Sequence, residues 1–173
     1  MFNQNVKRLG FACKYLHEDQ TLKPKLLEEI QRPLTERCTT VAWLNRQTRD
    51  VAEQRLWDIM QHNMQAAYNL VEWVGSRDNE LRMVRLGSNQ LPMYTEPSWS
   101  YFWRKSDVRK EAEQGYGKVG NLARQLDVRL SMHPGQFTVL ASDKPDIVNR
   151  SIEEFEYHAD IIRWMGYGVQ WQD

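Results

Sequence analysis

The residue with the clearest capacity for chemistry is His133, within Arg129-Leu130-Ser131-Met132-His133-Pro134-Gly135. A strand there alternates its side chains, so Leu130 and Met132 point one way and Ser131 and His133 the other. Barrel enzymes keep their catalytic groups at the C-terminal ends of strands, and a neutral imidazole at such an end is a natural metal ligand. The same position also suits a histidine that is merely hydrogen-bonded. Pro134 stops the ladder and Gly135 permits a sharp turn, which lifts Gln136 and Phe137 toward the strand end's mouth. Phe137 there offers a flat apolar surface, and Gln136 a donor and an acceptor. In the alternative, Phe137 packs inward with Val139 along an extended segment.

Pro97-Ser98-Trp99-Ser100-Tyr101-Phe102-Trp103-Arg104-Lys105 follows a second strand. Aromatics beside cations suit base stacking and phosphate contact, with Arg104 and Lys105 as the phosphate contacts, and they equally suit a packed loop. Arg85 shares a strand face with Gly87, as an ion-pair member or a phosphate group. His158 sits beside an apolar helical stripe and reads as structural. His17 and His62 show no partner pattern. Gly115-Tyr116-Gly117-Lys118-Val119-Gly120 fits G-x-G-x-x-G, but the dinucleotide fingerprint needs a strand before it. A charged, helical Asp107 to Gln114 stands there instead, so close helix packing or a kink is the better account.

The elements that position these residues alternate. Arg8 to Cys13 is a short extended candidate, with Leu9 and Phe11 on one face. A short helix is predicted around Lys25 to Ile30, ended by Pro33. Thr39 or Thr40 is placed to cap a helix through Trp43 and Leu44. A long helix over 50–75 carries Leu56, Met60, Met64, Ala67, Val71 and Val74 as one stripe, closed by Gly75-Ser76. Met83 to Ser88 is the second strand. Ser106 is predicted to cap a helix to about Leu126, Arg129 to His133 is the third strand, and a last helix runs from about Pro145 to Met165. Val148, Ile152, Phe155, Ala159 and Ile162 are predicted to face inward on it. This order argues α/β with a parallel sheet. Another strand is due near the last residues, and three parallel strands alone leave open edges, so the chain reads as unfinished.

The 173 residues bound this to one domain, 41% hydrophobic and 27% charged. Mean hydropathy is -0.71, no apolar run approaches a membrane span, and no signal peptide is evident. Cys13 and Cys38 lack metal or redox spacing, which favours a reducing cytoplasm. Net charge is zero: residues 1–50 hold 9 basic and 6 acidic groups, and residues 129–173 hold 4 and 7. Composition therefore gives nucleic-acid binding no support of its own. Most of the seven tryptophans are expected to be core or interface anchors.

Arg129 to Leu140 resembles the signature of UV damage endonucleases. Arg8 to Cys13 resembles the family's first strand, Arg85 to Pro92 its second strand and loop, and Ser151 to Ala159 the helix after the signature. The resemblance implies the N-terminal part of a (β/α)8 TIM barrel: about three βα units over 1–173, one incomplete domain with the barrel left open. It implies a metal-dependent endonuclease that nicks double-stranded DNA 5′ of UV photoproducts in excision repair, using divalent metal, usually manganese. His133 matches a family metal ligand. Glu96 stands near where the family often has a ligand histidine, and Phe11 where some members have tyrosine. Tyrosine is also common at the Phe137 position, where with Gln136 it implies DNA contact. Further ligands belong to later strands, so a missing C-terminal half is an implied partner, and this chain alone is expected to be inactive. The alternatives are another divalent-metal barrel of the sugar-isomerase kind, and a non-catalytic DNA-binding remnant.

Overall fold

The computed structural model describes residues 7–135 and 137–168. Gln136 thus lies outside the described residues. Three strands, β1 (Phe11–Ala12), β2 (Met83–Leu86) and β3 (Arg129–Met132), form a parallel sheet in the order β1-β2-β3. Arg85 pairs with Ala12 on one side and Ser131 on the other. These three residues therefore share the inner face, while Val84 and Leu86 point to the helices and are buried.

The helices are α1 (Pro24–Gln31), α2 (Val41–Leu44), α3 (Arg49–Gly75), α4 (Ser100–Trp103), α5 (Ser106–Gln125) and α6 (Pro145–Trp164). The predicted stripe of α3 is buried throughout, from Leu56 to Val74. It meets a second stripe on α5, made by Val108, Ala112, Tyr116, Val119 and Ala123. The first and last of the G-x-G-x-x-G glycines are packing residues. A Cβ on Gly115 would lie 2.0 Å from Met64 Sδ, and one on Gly120 would lie 1.9 Å from the Met165 carbonyl oxygen. Trp99 and Trp103 are buried in the same core. Thr40 caps α2, its hydroxyl accepting from the Trp43 N–H at 3.2 Å.

Four local expectations change. The first strand is two residues long, because Cys13 turns out of it with φ 67°. α1 ends at Gln31, two residues before Pro33, and the chain continues through Pro33 as a 3-10 turn, Arg32–Leu34, instead of leaving helical structure at once. Ser106 is the first residue of α5, and Lys105 holds the N-cap position without a side-chain cap.

The fourth concerns α6. Its buried face is Ser151, Tyr157, His158 and Ile161, not the Val148–Ile162 stripe. Ile152 and Phe155 are 47% and 40% exposed. The helix packs on α5 and on the segment after β2, which offers it the Ser88 carbonyl, the Leu91 N–H and the Tyr94 and Thr95 hydroxyls. A polar face therefore wins the inward position, and Ile152 and Phe155 are left partly exposed.

Candidate functional site

Strand pairing continues one residue past each strand. The Cys13 N–H donates to the Arg85 carbonyl at 2.8 Å, and the His133 N–H to that of Leu86 at 2.9 Å. His133 thus sits at the C-terminal end of β3 on the inner face, two residues beyond Ser131 and next to Gly87. Its ring is half-buried and has no hydrogen-bond or ion-pair partner among the described residues.

A carboxylate that sequence reasoning missed lies above Gly87. A Cβ on Gly87 would come 2.4 Å from Glu36 Oε1, so the glycine makes the room. Glu36 Oε1 accepts from the Asn89 backbone N–H and from Asn89 Nδ2, each at 3.3 Å. Oε2 accepts from Gln90 Nε2 at 2.6 Å. Burial pushes the Glu36 carboxyl above its usual range, against the opposing pull of those donors. It is a group able to hold a proton at the strand ends. Only Gly87 signals it in the sequence, because Glu36 lies in the irregular stretch between the Arg32–Leu34 turn and α2.

The segment after β2 is fixed from below. Asn63, fully buried on α3, brings Nδ2 to 2.9, 2.8 and 3.1 Å from the carbonyls of Arg37, Asn89 and Gln90. Tyr116 donates its hydroxyl to the Gln90 carbonyl at 3.2 Å. Glu96, further along, is half-buried, and one carboxylate oxygen accepts from the Ser98 N–H at 2.9 Å. The described residues bring Glu96 and His133 into no shared contact. Among them no group of three or more His, Cys, Asp or Glu side chains is arranged to hold a metal. The donor set for a metal is thus two candidates, one already engaged in a turn, which is not a metal centre by itself.

Phe137 is 84% exposed and Val139 also stands out, so the inward-packed alternative does not hold. Thr95 and Pro97 from the segment after β2 face Phe137 and Val139 across a groove, with Ile147 and Arg150 of α6 in its lining. Of the basic pair, Arg104 is exposed. Lys105 is bound to Glu53 at 2.5 Å, a carboxylate that also accepts from Arg49 at 3.0 Å and from the Tyr101 hydroxyl at 3.1 Å. Arg85 is exposed on the inner face, without an ion-pair partner among the described residues. His158 is buried, with Nδ1 2.6 Å from the Glu154 carbonyl oxygen, as expected of a structural helix residue. No described helix is long and apolar enough to cross a membrane.

Comparison with known proteins gives the family. The family model described as UV-endonuclease UvdE matches residues 7–172. A UV DNA damage endonuclease of Clostridium perfringens is 28% identical over 126 residues, covering 72% of this chain and 29% of that protein. One from Nostoc sp. is 31% identical over 114 residues, covering 66% of this chain and 34% of that protein. The chain therefore spans about a third of the length of the curated relatives it matches. The crystal structure of SacUVDE superposes with a TM-score of 0.68 at 23% identity, covering 92% of this chain and 46% of that one, a likeness of fold.

Proposed function

The chain belongs to the UV-endonuclease UvdE family, and from that premise we propose that it forms the N-terminal part of a barrel endonuclease acting on UV-damaged double-stranded DNA. The observation that carries the reading is Phe137, 84% exposed on one wall of the groove at the strand ends. Leaving an aromatic ring in water there is unfavourable unless a ligand covers it. An apolar side chain entering a base stack kinks the duplex and costs a few kcal/mol per unstacked step. A photoproduct is already poorly stacked, so that cost is smaller at damage, and selectivity follows without reading sequence. Gln136, the next residue toward His133, is proposed to share the contact. Arg104 and Arg150, both exposed, are proposed phosphate contacts. Lys105 is a weaker one because Glu53 already neutralises it. Family membership sets aside the sugar-isomerase alternative.

A divalent metal, manganese by family resemblance, is proposed for the complete site. When bound, such an ion activates water and stabilises the leaving oxygen. His133 and Glu96 are the donors this chain offers, and the rest must come from a complementary C-terminal half. Calorimetric titration with manganese should give weak binding to the wild-type chain that His133→Ala abolishes; equal heats from both would remove His133 from the site. For DNA, a gel-shift comparison should show tighter binding to an irradiated duplex than to the undamaged one. The three strands among the described residues do not close a barrel, so enzyme-like nicking of irradiated plasmid is not expected from this chain alone. Manganese-dependent nicking by the purified monomer would overturn that part of the reading.

A further inference from the structure

Both walls of the groove are fastened to one helix. Ser151 Oγ accepts from the Val139 N–H at 2.8 Å and donates to the Ile147 carbonyl at 2.8 Å. Glu154 Oε2 accepts from the Thr95 hydroxyl at 3.3 Å. The Tyr157 hydroxyl accepts from the Leu91 N–H at 2.8 Å and donates to the Ser88 carbonyl at 2.9 Å. Asp160 Oδ2 accepts from the Tyr94 hydroxyl at 2.8 Å. These four positions recur every three residues, so they form one slanted ridge along α6. The first holds the segment after β3, and the other three hold the segment after β2.

We propose that the ridge Ser151–Glu154–Tyr157–Asp160 is the positioning device of the site: it sets the separation between the Phe137 wall and the Thr95–Pro97 wall, and so the shape of duplex the groove admits. This rests on the reading of the groove as the DNA-facing surface. Ser151 and Tyr157 are each 2% exposed. The Leu91 N–H held by Tyr157 is buried with no other hydrogen-bond partner among the described residues, so its bond is costly to lose, while the Val139 and Ser88 ends of the other two bonds are part-buried. Burial keeps the Tyr157 phenol protonated well above its ordinary range, so it remains a donor to Ser88 at any pH the fold tolerates. None of the four touches the proposed metal donors through its own side chain. They act on the ligand through the walls they hold.

The test uses the whole chain and two readouts. Amide exchange at Leu91 and Val139 reports each wall, and the ratio of affinities for irradiated and undamaged duplex reports the groove. Losing one such bond favours opening by about tenfold. Tyr157→Phe should speed exchange at Leu91 by that factor, and Ser151→Ala should do the same at Val139. Each should lower the affinity ratio. Ser151→Thr, which keeps the hydroxyl, should restore both readouts. Faster exchange with an unchanged ratio would overturn the proposal and leave the ridge as packing alone. Unchanged exchange would overturn it as well. A wild-type chain that binds both duplexes equally would instead count against the DNA reading, while the exchange data would still decide whether the ridge holds the walls.

Discussion

On the helix side of the sheet, Val84 and Leu86 are 0% and 1% exposed, while the residue between them, Arg85, is exposed on the other side. The same contrast recurs around β3. α5 is buried against α3 along its full stripe, whereas α6 leaves Ile152 and Phe155 partly in water. The outer layer of helix on sheet is thus self-sufficient within this chain. The inner face and the β3 edge are not, since parallel sheets normally have both faces covered. The difference teaches that the stabilising core and the proposed site sit on opposite sides of the same strands. The outer side is hydrophobic and closed, and the inner side and strand ends are polar and open to a ligand or to further structure.

Substitutions that should behave oppositely on the two faces break or sharpen this contrast. Leu86→Ala should cost about 2–5 kcal/mol in denaturant unfolding, because it removes a fully buried side chain. Arg85→Ala, one residue away, should change stability by less than about 0.5 kcal/mol. Comparable losses from both would mean that the inner face is packed. Tyr157→Phe should cost about 1–3 kcal/mol, since it strands the buried Leu91 N–H and removes the donor to the half-buried Ser88 carbonyl.

A pH effect comes next. The Glu36 carboxyl is raised in the folded chain by burial, so the folded state holds this proton more tightly than the unfolded state. Its contribution to stability therefore improves as pH falls through the raised folded value toward the ordinary carboxylate range, and then levels off. Subtracting the unfolding curve of Glu36→Gln from that of the wild type should isolate this trend. A difference that runs the other way would mean that the Asn89 and Gln90 donors outweigh burial. Lys105→Ala should have the smallest effect, about 0–1 kcal/mol, because its pair with Glu53 is partly exposed.

Much of this was legible in the sequence. The α3 stripe recurs at spacings of three and four without a break, and it is buried as written. The β2 and β3 strands, the parallel order and the place of His133 follow from short apolar runs ended by Gly87 and Pro134. α6 was misread because it carries two candidate faces. Ile152 and Phe155 look inward by hydrophobicity, yet Ser151 is selected by the Val139 N–H after β3, and Glu154, Tyr157 and Asp160 by the Thr95 hydroxyl, the Ser88 and Leu91 backbone and the Tyr94 hydroxyl after β2. Glu36 was not legible, since its partners Asn89 and Gln90 stand more than fifty residues away and meet it only through the absent side chain of Gly87. The exposure of Phe137 was open between two alternatives. A residue after Pro-Gly has no periodicity to decide its direction.

The claim that the strand ends face damaged DNA is tested most directly at Phe137. Affinities of the wild type and of Phe137→Ala for the same duplex, irradiated and undamaged, should be compared at one salt concentration. Losing a stacking contact of about 1–3 kcal/mol should reduce the preference for the irradiated duplex, with little change for undamaged DNA or in thermal stability. An unchanged preference accompanied by a lower melting temperature would contradict the account, and would make Phe137 a packing residue with lesions sensed elsewhere.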